Sequence, residues 1–334
     1  MSAFGIAEGK AMQTIAITGA SGFIGKRLVS DLLGEGRYAI RVLSREKQRN
    51  LRKENFEQGV DIFEGDLGDP DSLTGFLVPG CTVINLVYLW DAGEKLNLAC
   101  THNLLAACKD AKVERLIHCS TAAVAGRAQS DLIDEKTQCL PITEYGTTKL
   151  KIEHAIIDSA KDYFEAVILR PTSIFGINGE PLKKLATDIS NGDRWKNYLK
   201  SCLFGRRRMN LVHVANVVAA IIFLIRYTGR LEDEIFIVSD DDDSENNFID
   251  VERALMDTLG VKQYCLPRLP IPLVVLKLLL RSLGRNNINP RCDFDSGKLR
   301  KLGFKSPVSL SEGLAEYAAW YRISHLGEQG AKVS

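Results

Sequence analysis

Six short apolar runs separated by helix-patterned stretches restrict what this chain can fold into more than any other feature. They are TIAIT (14–18), YAIRVLS (38–44), VDIFEGDL (60–67), CTVINLVYL (81–89), ERLIHCST (114–121) and FEAVILRP (164–171). Helical patterns lie between them, clearest over 22–34, 94–110 and 143–160. Strands alternating with helices predict an α/β fold in which a doubly wound parallel sheet is covered by helices on both faces. Past Pro171 the alternation stops. Residues 172–212 read as mixed and loop-rich, and they are followed by a helix at 214–227, a strand at 234–238 and helices near 249–259, 272–283 and 309–323. The expected organisation is a sheet domain over 12–171, to which later segments return. A smaller, interleaved α/β lobe over 172–325 would close a substrate in, and residues 1–11 read as a leader or appended extension.

Composition narrows the classes. At 334 residues and 45% hydrophobic content, the chain can bury one large core or two closely packed ones. A net charge of +1 gives no electrostatic basis for binding nucleic acid. The eight cysteines form no Cys-x-x-Cys pair and no zinc-spaced cluster with histidine. They read as free thiols of a reducing, cytoplasmic compartment, with no metal. The most apolar run, IPLVVLKLLL (271–280), is too short to span a bilayer and contains Lys277. It predicts a buried or half-buried helix starting near Pro272. The acidic run Asp240–Asp243 reads as a solvated loop.

Chemistry enters at TGASGFIG (18–25), which ends the first strand and opens the first helix. Gly19 permits a tight turn, Gly22 lets backbone N–H groups approach a pyrophosphate, and Gly25 allows close helix–strand packing. Strand, glycine turn and helix in this order predict a Rossmann-type dinucleotide site. The second strand ends in Ser44 and Arg45, where a carboxylate would select NAD. An arginine there can pair with the 2′-phosphate, so NADP is expected, with NAD as the alternative. Asp66, in EGDL after the third strand, is placed to touch the adenine.

YGTTK (145–149) sets a tyrosine and a lysine four apart, on one face of a helix. Alone, this spacing fits a catalytic pair or two solvated side chains. The motifs TGASGFIG, GDL (65–67), VINLV (83–87), STAAVAG (120–126), YGTTK, LRPTSIFG (169–176) and VHVANVVAAI (212–221) occur in order between about residues 13 and 323. Together they resemble the extended short-chain dehydrogenase/reductase family, in its nucleotide-sugar epimerase, dehydratase and reductase branch.

The resemblance implies that Tyr145 is the acid/base, Lys149 its partner and Thr121 the hydroxyl that holds the reacting oxygen. Ser120 stands beside Thr121, and Asn103 is the helix asparagine that steadies the site. The resemblance also implies a cofactor surface that includes Ser21, Phe23, Ile24, Leu67, Leu86 and Pro171. Ser120, Arg206, Arg208 and Arg291 are implied as substrate contacts, and members often form homodimers through the helices at 94–110 and 143–160. Ala122 and Ala123 occupy the positions where dehydratases carry Asp-Glu, and Ala125 replaces a pocket tyrosine, so dehydration is not expected. What remains is an NADPH-dependent 4-ketoreductase of nucleotide-linked sugars in surface-polysaccharide precursor synthesis, or an NAD-dependent nucleotide-sugar 4-epimerase. A hydroxysteroid-type or small-carbonyl reductase of the same family is a third reading. A non-catalytic NADP-sensing Rossmann regulator would have no need of Thr121, Tyr145 and Lys149.

Overall fold

A computed structural model describes residues 12–45, 59–128, 130–231, 233–269, 271–282 and 289–326. Seven parallel strands form the central sheet: β1 (Gln13–Thr18), β2 (Tyr38–Ser44), β3 (Val60–Glu64), β4 (Thr82–Asn85), β5 (Arg115–Cys119), β7 (Glu165–Pro171) and β10 (Glu234–Val238). Their spatial order is β10-β7-β5-β4-β1-β2-β3, and β6 (Leu132–Ile133) pairs apart from this sheet with β11 (Asp293–Phe294). The chain winds outward from β1 in one direction and then from β4 in the other, so a crevice opens between them at the carboxyl ends. Register aligns those ends, since Thr18 pairs with Leu43 of β2 and with Asn85 of β4.

Helices α1 (Phe23–Glu35) and α6 (Val214–Arg226) cover one face through Leu28, Val29, Leu32, Val217, Val218 and Ile221. Helices α2 (Gly93–Asp110) and α3 (Glu144–Ala160) cover the other through Leu104, Leu105, Ile152 and Ile156. With both faces covered, the central strands carry apolar side chains in both directions, which is why the runs read as continuous. A third core joins Phe175, Leu182, Leu255, Leu314 and Tyr317. It includes α7 (Phe248–Leu259) and α10 (Leu310–Tyr321), the latter preceded by the short α9 (Gly297–Lys301) and opened by a Ser309–Glu312 capping box.

Three expectations need correction. Residues 172–212 hold two helices, α4 (Lys183–Asn191) and α5 (Arg194–Phe204), and a two-stranded parallel sheet of β8 (Ser173–Phe175) and β9 (Leu211–His213). Each helix buries only a few apolar residues, Ala186 and Ile189 in one and Tyr198 and Cys202 in the other, too few to set a visible period. The acidic run is only partly solvated, because Asp240 and Asp241 are buried. Asp240 accepts from His213 N and Asn216 Nδ2, and Asp241 accepts from Asn210, Asn246 and the Phe294 amide. Burial raises both carboxyls to about 6, against the pull of those donors. Finally, α8 (Leu273–Ser282) is not sunk in a core. Leu276 is fully buried, but Val274, Val275 and Leu278 are more than half exposed. No helix among the described residues is long and apolar enough to cross a membrane.

Candidate active site

The turn after β1 is shaped by close backbone approaches. Gly19 has φ +78°, and a Cβ there would meet Leu86 at 3.2 Å. Thr18 Oγ1 donates to Asn85 Oδ1 at 2.9 Å and Leu86 N donates to Thr18 O at 3.1 Å, so the turn is bound to the end of β4. Gly22 N–H closes on Gly19 O at 3.1 Å. A side chain at Gly25 would drive into the Gly19 and Ala20 backbone, so this position requires glycine for packing alone. Gly22 caps α1 without a side-chain hydrogen bond, and no acidic residue occupies the first turn. The amide end of α1 is thus available to a diphosphate, whose charge its dipole favours.

A cleft of about 340 Å³ opens over this turn. Gly19, Ser21, Lys26, Ser44, Arg45 and Asp66 are among the residues that line it, and Leu67, Val87 and Leu89 extend it. Phe23 and Ile24 sit in the first turn of α1 and pack on the adjoining core, while Pro171 is buried at the end of β7. Asp66 is fixed by its own loop: its Oδ1 accepts from Gly68 N at 2.7 Å and its amide donates to Ser72 Oγ. The glycine turn, the uncapped helix end, Lys26 of α1 and Arg45 after β2 fit a dinucleotide bound along the cleft.

The expected catalytic residues come from two elements. Tyr145 lies in the first turn of α3, whose Thr143 cap accepts from Gly146 N. Lys149 follows one turn later and is buried; its Nζ donates to Cys119 O at 2.9 Å and lies 5.2 Å from the Tyr88 ring centroid. Thr121 caps the short turn Ala122–Ala125 and accepts from Ala123 N. Burial raises the Tyr145 phenol to about 12, opposed by its hydrogen bond with Thr121. Burial also lowers Lys149 to about 8. His118 is fully enclosed nearby, where burial and then the Lys149 charge hold its pKa well below the usual value. The imidazole is therefore neutral and does not compete as a charged acid.

Ser120 and Thr121 are separated by chain geometry. Successive side chains on extended backbone point oppositely. Ser120 is directed inward, where its Oγ donates to Glu153 Oε1, and Glu153 in turn is held by the Arg170 guanidinium at 2.6 Å. All three are buried. Ser120 is therefore a structural residue here, not the substrate contact the sequence suggested. Asn103 acts on the cleft side: its Nδ2 donates to Leu67 O at 2.8 Å and supports the loop of Asp66 and Leu67 that lines the cleft. Arg208 is fully engaged: it pairs with Asp293 and donates to the carbonyls of Asp241, Asp243 and Ser244, so it joins segments and does not await a diphosphate. Arg206 lies in a shallow surface groove with Arg253, Tyr264, Leu266 and Arg268, which shares no residue with the cleft. Arg291 is exposed beside Asn289, whose Oδ1 accepts its amide.

Sequence reasoning missed Trp90 and Asn97. Trp90 is 71% exposed yet stacks on the Tyr145 ring at 4.7 Å with a 20° interplanar angle, and Tyr88 meets that ring edge-on at 4.8 Å. Two aromatics just past β4, at the crevice edge, were the available signal. Asn97 is buried in α2 and ties down the segment that carries them, with its amide exchanging hydrogen bonds with both Leu89 N and Leu89 O and donating to Gly93 O. Val87 and Leu89 line the cleft while Tyr88 and Trp90 pack on Tyr145, so this one segment connects the two halves of the site.

Comparison with known proteins agrees with this geometry. The model of the family "NAD dependent epimerase/dehydratase family" matches residues 15–238. A UDP-glucose 4-epimerase of Vibrio cholerae is 27% identical over 92% of this chain and 95% of its own length. The N-acetyl-alpha-D-glucosaminyl-diphospho-ditrans,octacis-undecaprenol 4-epimerase of Escherichia coli O157:H7 is 25% identical over 90% and 92%. Among solved structures, the dTDP-glucose 4,6-dehydratase of Bacillus anthracis in complex with NAD superposes with a TM-score of 0.71 at 17% identity, covering 94% of this chain and 98% of that one. This last likeness establishes the fold.

Proposed function

For a chain that belongs to the NAD-dependent epimerase/dehydratase family, we propose the activity of an NADPH-dependent reductase acting on a nucleotide-linked 4-keto sugar. The observation that carries this reading is Arg45, lining the cleft just past the end of β2, where neither residue 44 nor residue 45 is a carboxylate; Lys26 in the first turn of α1 lines the same cleft. Such a site suits a 2′-phosphate and a cofactor that is exchanged at each turnover. When bound, the dinucleotide supplies the hydride.

The chain's own residues manage the proton. Tyr145, its phenol raised to about 12, holds its proton until a carbonyl oxygen gains negative charge beside it. The Thr121 hydroxyl orients that oxygen, and the Lys149 ammonium favours the phenolate left behind. The exposed face of Trp90 offers a platform for a sugar ring next to Tyr145. Ala122 and Ala123 give no acid to expel water, so reduction is favoured over dehydration.

A second reading, 4-epimerisation with retained NAD, is supported by the names of the epimerase relatives. Stoichiometric NADPH oxidation with a UDP-4-ketohexose, together with about tenfold or greater loss of NADPH affinity in Arg45→Ala and unchanged NADH affinity, would support the reductase. Protein that carries NAD and interconverts C4 epimers without net cofactor consumption would overturn it. NADP binding without turnover of any carbonyl would indicate a sensor.

A further inference from the structure

Residues 261–292 carry six basic side chains, Lys262, Arg268, Lys277, Arg281, Arg285 and Arg291, and no acidic one, in a chain whose net charge is only +1. Within this segment α8 has three distinct sides. Leu276 is the side held by the protein. Val274 and Leu278, one turn apart, form an outward apolar side with Val275, at 71%, 64% and 52% exposure. Lys277 and Arg281, also one turn apart, form a cationic shoulder, and neither pairs with a described acid. The approach to the helix adds exposed Leu266 and Leu269. Leu266 belongs to the same groove as Arg206, Arg253 and Arg268.

Apolar side chains facing solvent beside unpaired cations are costly for a purely water-facing surface, and they match a boundary between hydrocarbon and anionic headgroups. A second copy of the chain would bring its own unpaired cations to the contact and repel at this face. A helix of ten residues cannot span a bilayer, but it can lie in the interface with its apolar side a few ångströms deep.

We propose that α8, with the exposed Leu266 and Leu269 before it, docks this protein on the surface of an anionic lipid bilayer, the helix lying in the headgroup plane. Val274, Val275 and Leu278 enter the acyl boundary, and Lys277, Arg281 and Arg206 meet lipid phosphates. Leu276 and the anchored segment before it hold the helix on the protein: Tyr198 donates to Pro267 O, and Arg268 bonds Ser201 and pairs with Glu252. The C-terminal core would therefore be held at the membrane, while α8 remains a surface element.

Flotation of the full chain with lipid vesicles tests this without turnover or cofactor, so its outcome is separable from that of the proposed reaction. Vesicles of phosphatidylcholine mixed equally with phosphatidylglycerol should carry the protein, pure phosphatidylcholine should carry much less, and added salt should release it. Lys277→Gln with Arg281→Gln should weaken binding about 25-fold, roughly fivefold for each cation near an anionic leaflet. Val274→Ser with Leu278→Ser should weaken it at least about tenfold through lost apolar insertion. Both variants alter exposed side chains only, and unchanged circular dichroism would verify the fold. Wild type that stays in the aqueous phase with both vesicles overturns the proposal. So does vesicle binding insensitive to both variants, or a wild-type dimer that Leu278→Ser converts to monomer.

Discussion

Lys149 places an ammonium in the protein interior, and replacing it with methionine measures what that costs. Its pKa falls from 10.5 to about 8, with burial as the leading cause. Between those values the unfolded chain binds more protons than the folded one, so this group makes stability rise with pH from about 8 to about 10.5. At pH 7 the full penalty applies. At about 1.4 kcal/mol for each tenfold change in proton affinity, the fall from 10.5 to about 8 corresponds to about 3 kcal/mol. Met fills similar space with no charge, while the Cys119 carbonyl loses its donor at a cost of about 1–2 kcal/mol. Lys149→Met should therefore be more stable than wild type by about 1–3 kcal/mol at neutral pH, although its turnover is lost. The advantage should shrink by about 2 kcal/mol at pH 9.5, because wild type then folds with a mostly neutral lysine. Urea unfolding of both proteins at the two pH values measures this directly. A stability difference that is constant or grows with pH would refute the perturbed lysine and the tuned site built on it.

Tyr145→Phe removes one hydroxyl from an otherwise intact ring stack; kcat should fall about 10²–10⁴-fold while calorimetric affinity for the dinucleotide changes little, and near-normal turnover would exclude the phenol as proton donor. The two later glycines of the turn should separate packing from binding. Gly25→Ala forces a Cβ into the Gly19–Ala20 backbone, within 2.7 Å of Ala20, and should cost stability and cofactor affinity together; Gly22→Ala meets only Gly19 O at 3.3 Å and should lower affinity with little change in Tm.

Much of the sheet was legible because its information is local. β2 and β10 run over 38–44 and 234–238 as read from the sequence, β1 begins one residue before its run, and the other sheet strands lie within the apolar runs that marked them. Helices α2 and α3 begin within a residue of their expected starts. Strand period, turn glycines and an i,i+4 pair are written in neighbouring residues and survive any arrangement of the rest. The 172–212 segment was harder because its helices bury short, partial stripes against a core completed by α7 and α10.

Side-chain assignments failed where the deciding partner is remote in sequence. Asn97 and Asn103 are both polar residues of one helix, and only the positions of Leu89 and Leu67 distinguish the one bracing the aromatic segment from the one supporting the cofactor loop. Asp240 and Asp241 looked like solvent-facing acids until donors from β9, α6 and the 293–294 strand closed over them. Arg208 looked free for an anion, but Asp293, 85 residues away, holds it. The apolar run at 271–280 announced a helix, which hydropathy placed as buried or half-buried. Burial depends on what packs against a residue, not on the residue alone, and the fold covers little of this helix beyond Leu276. By itself the sequence determined the sheet, the glycine turn and the Tyr145–Lys149 pair, since each rests on spacing along one short stretch. Tertiary structure decided which polar groups are already satisfied and which remain for a ligand, because hydrogen-bond partners and neighbouring surfaces come from segments that only folding brings together.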